Sequence, residues 1–286
     1  MPIAVTGANG EFGRAVLESL RRRTDEPLIG TVREPAKSEP LPGVDYRPGN
    51  FDEPDTLRAS LAGVDSVLVN ATFFGTDPSR RLGRVAAAIH AAASAGVSRI
   101  VLTSWPDLEH AGHPSIQDYK ELEALVRTVG PAWTILRLCY GLGDAVARDV
   151  MWARSGGELV APASGARVTP AAVDDLADAA AVVLSQPGHG HERYELTGPD
   201  TVTWDDLAEL AGVKLHAVDD DGYRRFLARF NLPASVVEQL IELYVDFRSG
   251  WSAEPTATLA SLIGRPPVTG IEAVERRVAR SYNASG

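Results

Sequence analysis

Near the start of the chain, Gly7, Gly10 and Gly13 stand three residues apart between an apolar run, Ile3-Ala4-Val5, and the residues Ala15, Val16, Leu17 and Leu20 at helical spacing. In that context the glycines form a cradle for a pyrophosphate. Gly7 permits the tight turn out of a strand, Gly10 removes the side chain that would block a phosphate, and Gly13 lets the helix lie close on the strand. The helix offers the phosphates its free N–H groups and the positive end of its dipole. Glu11 places a carboxylate inside this loop; as a first-turn residue it suits the dipole and is expected to point outward. After the next apolar run, in Thr31-Val32-Arg33-Glu34-Pro35-Ala36-Lys37, an arginine stands where an NAD-type site carries an acid. Arg33 is placed to pair with a ribose 2′-phosphate, Lys37 adds a second charge, and Glu34 is a competing partner for Arg33. The position favours NADP(H), with NAD(H) the lesser candidate.

Elements of alternating type must carry these residues. Apolar strand-like runs fall at 3–5, 28–32, 44–47, 66–69, 99–103 and 133–137, with helical patterns at 12–23, 55–62, 78–95 and 116–129 between them. Alternation of this kind implies parallel strands with crossover helices, an α/β Rossmann fold with a doubly wound parallel sheet. Asp52 is expected to cap the helix that begins near Pro54. After residue 140 the pattern turns glycine- and proline-rich, then gives a helix at 173–184, a strand at 193–197, a helix capped by Thr203 and helical spacing over 223–247. The expected division is an NADP-binding domain over 1–150, with 170–185 packing back on it, and a smaller C-terminal α/β substrate lobe over 151–286. Ligands of such sheets bind in the crevice outside the carboxyl ends of the strands.

Composition limits the rest. The 286 residues are 44% hydrophobic, carry a formal net charge of -10 and include one cysteine, Cys139. That balance argues against a nucleic-acid partner, because the one basic run, Arg21-Arg22-Arg23, closes the first helix where cations suit the dipole. One cysteine allows no internal disulfide, and the histidine pairs His110/His113 and His189/His191 lack a third ligand, so no metal is expected. No basic-then-apolar leader and no apolar run of membrane-spanning length is present, so a cytoplasmic protein without a membrane partner is expected, with a homodimer left open.

The segments Thr6-Gly7-Ala8-Asn9-Gly10-Glu11-Phe12-Gly13, Val32-Arg33-Glu34-Pro35-Ala36-Lys37, Gly49-Asn50-Phe51-Asp52 and Trp133-Thr134-Ile135-Leu136-Arg137 together resemble the NmrA-like group of atypical short-chain dehydrogenases, and within it the NADPH-dependent quinone reductases. The resemblance extends over nearly the whole chain. It implies that Gly7, Asn9, Gly10, Phe12 and Gly13 hold the diphosphate, Arg33 and Lys37 the 2′-phosphate, and Asn50 and Phe51 the adenine side. Ala71, Thr72 and Phe73 would line the ribose and nicotinamide path, and Thr103 is placed with them.

Ordinary short-chain dehydrogenases use a serine, a tyrosine and a lysine four residues after the tyrosine. Ser104 and Tyr119 have the spacing for the first two and are the catalytic candidates, but the fourth residue after Tyr119 is Glu123. A carboxylate on that helix face disfavours a tyrosinate, and Lys120 lies about 100° away around the helix. The triad is therefore incomplete, and the quinone-reductase relatives, which tend to carry a base at the position of Tyr119, differ here too. A quinone tolerates so weak a constellation, because its hydride adduct is a delocalised oxyanion that needs little proton assistance. Phe74, Trp105 and Tyr140 follow strands four, five and six where a substrate could stack, Trp105 and Tyr140 are expected to line the ligand, and Trp152 and Trp251 lie in segments placed to close the cleft. The function expected is hydride transfer to a quinone or related conjugated carbonyl. The alternatives are a non-catalytic NADP-binding sensor and a biosynthetic reductase or isomerase acting on a polycyclic aromatic.

Overall fold

The computed structural model describes residues 1–71, 78–112 and 114–284. Its first part runs β1 (Ile3–Thr6), α1 (Glu11–Arg23), β2 (Leu28–Val32), β3 (Val44–Pro48), α2 (Pro54–Ser60), β4 (Ser66–Val69), α3 (Pro78–Ser94), β5 (Arg99–Ser104), α4 (Pro114–Val126), β6 (Ala132–Leu138) and α5 (Tyr140–Gly156). The second part runs β7 (Leu159–Ala161), β8 (Arg167–Val168), α6 (Val173–Ser185), β9 (Glu192–Leu196), β10 (Val202–Thr203), α7 (Trp204–Ala211), β11 (Leu215–Ala217), α8 (Asp220–Leu227), α9 (Ala234–Arg248), α10 (Thr258–Ile263) and α11 (Gly270–Ala284).

Seven parallel strands form the main sheet in the order β3-β2-β1-β4-β5-β6-β9. The order reverses between β1 and β4, which opens the crevice at the carboxyl end of β1. Every residue of β1, β2 and β4 is buried, as strands covered by helices on both faces require. The expected α/β Rossmann sheet is therefore present.

α1 buries Phe12, Val16, Leu17 and Leu20, each contributing roughly 1.5–3 kcal/mol. It packs on α6, where Ser19 Oγ donates to Asp178 at 2.5 Å and Arg22 and Arg23 reach the same carboxylate. Those arginines thus serve a helix–helix contact as well as the dipole.

The second half departs from the expectation in two places. Residues 223–247 are not one helix: Asn231 turns left-handed at φ 50 and Pro233 follows, so α8 ends and α9 starts afresh. The division expected at residue 150 falls inside α5, and β9 returns to the main sheet beside β6. Among the described residues no helix is long and apolar enough to cross a membrane.

Candidate functional site

The cradle follows from local geometry. Gly7 leaves β1 at φ 66, and the Gly10 N–H closes a turn on its carbonyl at 2.9 Å. A Cβ on Gly13 would lie 2.5 Å from that carbonyl oxygen, so only glycine lets α1 approach. Gly10 is the N-cap of α1 and supplies no capping side chain, which leaves first-turn N–H groups open to an anion. Two hydroxyls lace the neighbouring strand ends: Thr6 Oγ1 accepts from the Asn70 N–H at 2.9 Å and Thr103 Oγ1 from the Ala71 N–H at 2.7 Å.

A cleft of about 800 Å³ opens over this turn. Of the residues assigned to the coenzyme, Gly7, Asn9, Gly10, Phe12, Arg33, Lys37, Asn50 and Phe51 line it, and Trp105 and Tyr140 line its other side. Gly13 lies behind it as a packing residue. Ala71 and Thr103 are fully buried and do not line the cleft; the Ala71 N–H donates to the Thr103 hydroxyl beneath it. Thr72, Phe73 and Phe74 lie outside the described residues. Trp152 does not line the cleft, which corrects its assignment: it stacks on Phe230 at 4.4 Å, drawn into an aromatic cluster with Phe226.

At the far end Arg33 is exposed on the loop after β2. Glu34 pairs with Lys37 at 2.6 Å and not with Arg33. Asp52 does not cap α2, whose N-cap is Glu53. Instead it binds Arg84 on α3 at 2.6 Å, and this hydrogen bond holds its carboxyl below the usual range. Arg84 also lines the cleft, a cation that no motif announced.

Ser104 and Tyr119 are not brought together. Tyr119 is 2% exposed; its hydroxyl donates to the Ala71 carbonyl at 3.0 Å, and burial pushes its phenol up to about 12. Ser104 donates to Glu123 at 2.7 Å. Glu123 in turn takes the Nε of Arg137 at 2.8 Å and Arg127 at 3.2 Å. The expected quarrel between Glu123 and Tyr119 therefore does not arise, because tertiary partners turn the carboxylate away. The charged groups acting on the phenol are Arg81, 5.0 Å from the ring centroid, and Asp118.

Trp105 lies 5.9 Å from the Tyr119 ring and stacks at 6.0 Å on Trp251, which is wholly buried behind it. Tyr140 meets Phe12 edge-on at 5.8 Å. Its hydroxyl donates to Glu11 at 3.1 Å, and Arg277 and Arg280 of α11 also hold that carboxylate. Glu11 thus does not point away to solvent as expected. With Arg84, sequence reasoning missed Arg277, Arg280 and Asp144; for the two on α11 the available signal was a pair of arginines one turn apart in an amphipathic terminal segment.

A family model described as NAD(P)H-binding matches residues 7–187, the span that holds the cradle and the cleft's other wall. The chain belongs to this NAD(P)H-binding family. It is similar to quinone oxidoreductase 2 of Escherichia coli K12, 28% identical over 95% of this chain and 97% of that one. It is equally similar to an NAD(P)H azoreductase of Xenophilus azovorans, 28% identical over 97% and 98%. The solved triphenylmethane reductase of Citrobacter sp., complexed with NADP(H), superposes with a TM-score of 0.85 at 27% identity, covering 97% of this chain and all 100% of that one. The residues present fit the family's coenzyme. Gly13 lets α1 lie against the Gly7 turn, the helix end above that turn carries no side-chain cap, and the guanidinium groups of Arg33 and Arg84 line the same cleft.

Proposed function

We propose that this NAD(P)H-dependent oxidoreductase takes NADPH and reduces a planar conjugated acceptor, a quinone or an azo- or triarylmethane-type dye, held against Trp105 and Tyr140. One observation carries the reading: the cleft offers aromatic surface beside the cradle, while both hydroxyls of the expected acid pair are spent elsewhere, on Glu123 and on the Ala71 carbonyl. The bound coenzyme supplies hydride. An acceptor that spreads the incoming charge over a conjugated system needs little help from an acid, whereas an isolated ketone needs much. The names of the relatives, quinone oxidoreductase, azoreductase and triphenylmethane reductase, support this substrate class.

The roles follow from position. Gly7, Gly10 and the first turn of α1 hold the diphosphate, and Arg33 and Lys37, with Arg84 across the cleft, select the 2′-phosphate. Asn50 and Phe51 border the adenine. Tyr119 is a positioning residue that fixes the backbone at Ala71. Residues 1–150 with α6 hold the coenzyme and also present Trp105 and Tyr140 to the substrate. The net charge of -10 favours a small-molecule partner over nucleic acid.

Steady-state NADPH oxidation with a panel of quinones, azo dyes and simple ketones tests the reading. Turnover is expected with the conjugated acceptors and not with the ketones. Tight NADPH binding without turnover on any acceptor would instead favour a coenzyme-dependent sensor.

A further inference from the structure

Glu11 stands between Gly10 and Phe12 in the first turn of α1, where the phosphates of a dinucleotide must approach the backbone. A bare carboxylate there repels a diphosphate. The carboxylate is not bare. Arg277, 266 residues along the chain, donates to its Oε2, and Arg280 donates to its Oε1 at 3.1 Å, so each oxygen meets its own guanidinium. Arg277 is held in turn: its Nε donates to Asp144 at 2.6 Å, its plane covers the Tyr140 ring at 5.1 Å, and its side chain is 15% exposed. Arg280 reaches Asp174 at 2.5 Å. Glu11, Tyr140 and Asp144 all line the cleft. α11 presents both arginines from one face and anchors itself through Val274 and Val278, which are buried.

We propose that α11 is a working part of the coenzyme site: Arg277 and Arg280 cancel the charge of Glu11, and the glycine cradle accepts a diphosphate only while they do. This rests on the cradle holding the diphosphate. Once the arginines are removed, Glu11 and Asp144, which line the cleft, lose the guanidinium groups that hold them, and affinity falls. Remove Glu11 as well and most of the lost affinity returns, because Glu11 is the carboxylate in the turn that meets the phosphates.

Titration calorimetry with NADPH, ADP and 2′-AMP tests this. Arg277→Ala/Arg280→Ala is expected to weaken NADPH and ADP about tenfold or more. The same variant should leave 2′-AMP within about two- to threefold, since it lacks the diphosphate and carries only the phosphate assigned to Arg33 and Lys37. Adding Glu11→Gln should restore NADPH and ADP. Unchanged ADP binding without the arginines overturns the proposal, as does failure of Glu11→Gln to restore it. Equal loss of ADP and 2′-AMP overturns it too, because that is the pattern of general damage. Should the arginine-free chain not fold, Glu11→Gln alone decides: tighter ADP binding with unchanged 2′-AMP supports the proposal, and unchanged or weaker ADP binding overturns it. Absence of NADPH and ADP binding by the unaltered protein would sink the cradle reading itself, a result distinct from all of these.

Discussion

Arg33 leaves β2 exposed, and Glu34, its nearest rival partner in sequence, is taken by Lys37. A guanidinium held out in this way suits a bidentate contact with a phosphate. Arg33→Ala is expected to weaken NADPH binding roughly ten- to a hundredfold and to leave NADH binding nearly unchanged, as read by fluorescence titration of each coenzyme. Tyr119 makes the opposite case, a residue whose type suggested catalysis and whose surroundings give it another role. With its phenol pushed up to about 12 and donating to Ala71, it stays protonated at working pH. Tyr119→Phe leaves that carbonyl without its donor, which costs about 1–3 kcal/mol of stability by denaturant titration. Turnover should fall less than tenfold, and the pH–rate profile should lose no limb below pH ~9. Cys139, buried and with its thiol pushed up to about 12, should resist alkylation in the folded protein.

The strand-to-helix turn at Gly7–Gly13 was legible because the glycines, the apolar run before them and the helical spacing after them agree. Gly13→Ala tests the fit: a Cβ 2.5 Å from the Gly7 carbonyl oxygen must push α1 off the strand. NADPH affinity should drop by more than tenfold and the melting temperature should fall, both measurable on one preparation. Thr203, read as a helix cap, forms a capping box with Asp206 at the start of α7, again because the signal is local. Asp52 failed as a cap because Arg84, from a helix 32 residues on, outcompeted the local N–H groups. At the ends of β5, β6 and β9, Arg137 gathers Glu109, Glu123 and Glu195. The hydrogen bond from Arg137 holds Glu109 down at about 2. Because the folded value lies below the ordinary 4.5, Glu109 contributes its stability above about pH 4.5 and loses it as pH falls toward 2. Melting curves of the unaltered protein and Glu109→Gln should therefore differ by a small constant amount near neutrality, small because the side chain is half exposed, and converge near pH 2.

At the scale of the molecule, the segment after residue 150 returns β9 to the main sheet and α6 to α1, and one continuous apolar core joins all of it. The expected outcome is a single calorimetric transition, which saturating NADPH shifts upward by roughly 5 °C if it is present at ~100 times its Kd; two resolved transitions would show that the C-terminal segment unfolds separately. The fold class, the glycine turn between β1 and α1, the exposed arginine after β2 and the placing of Trp105 and Tyr140 on the cleft were all readable from the chain, since each depends on neighbours a few residues apart or on strand ends that the topology of parallel sheets places in advance. The sequence could not show that Ser104 is bonded to Glu123, that Asp52 belongs to Arg84, or that the last helix supplies two arginines to Glu11. Those pairings join groups from 19 to 269 residues apart. Charged side chains near the strand ends had several partners within reach of their types, and burial admits only those combinations in which each charge is matched. That choice is made by packing, after the elements have met.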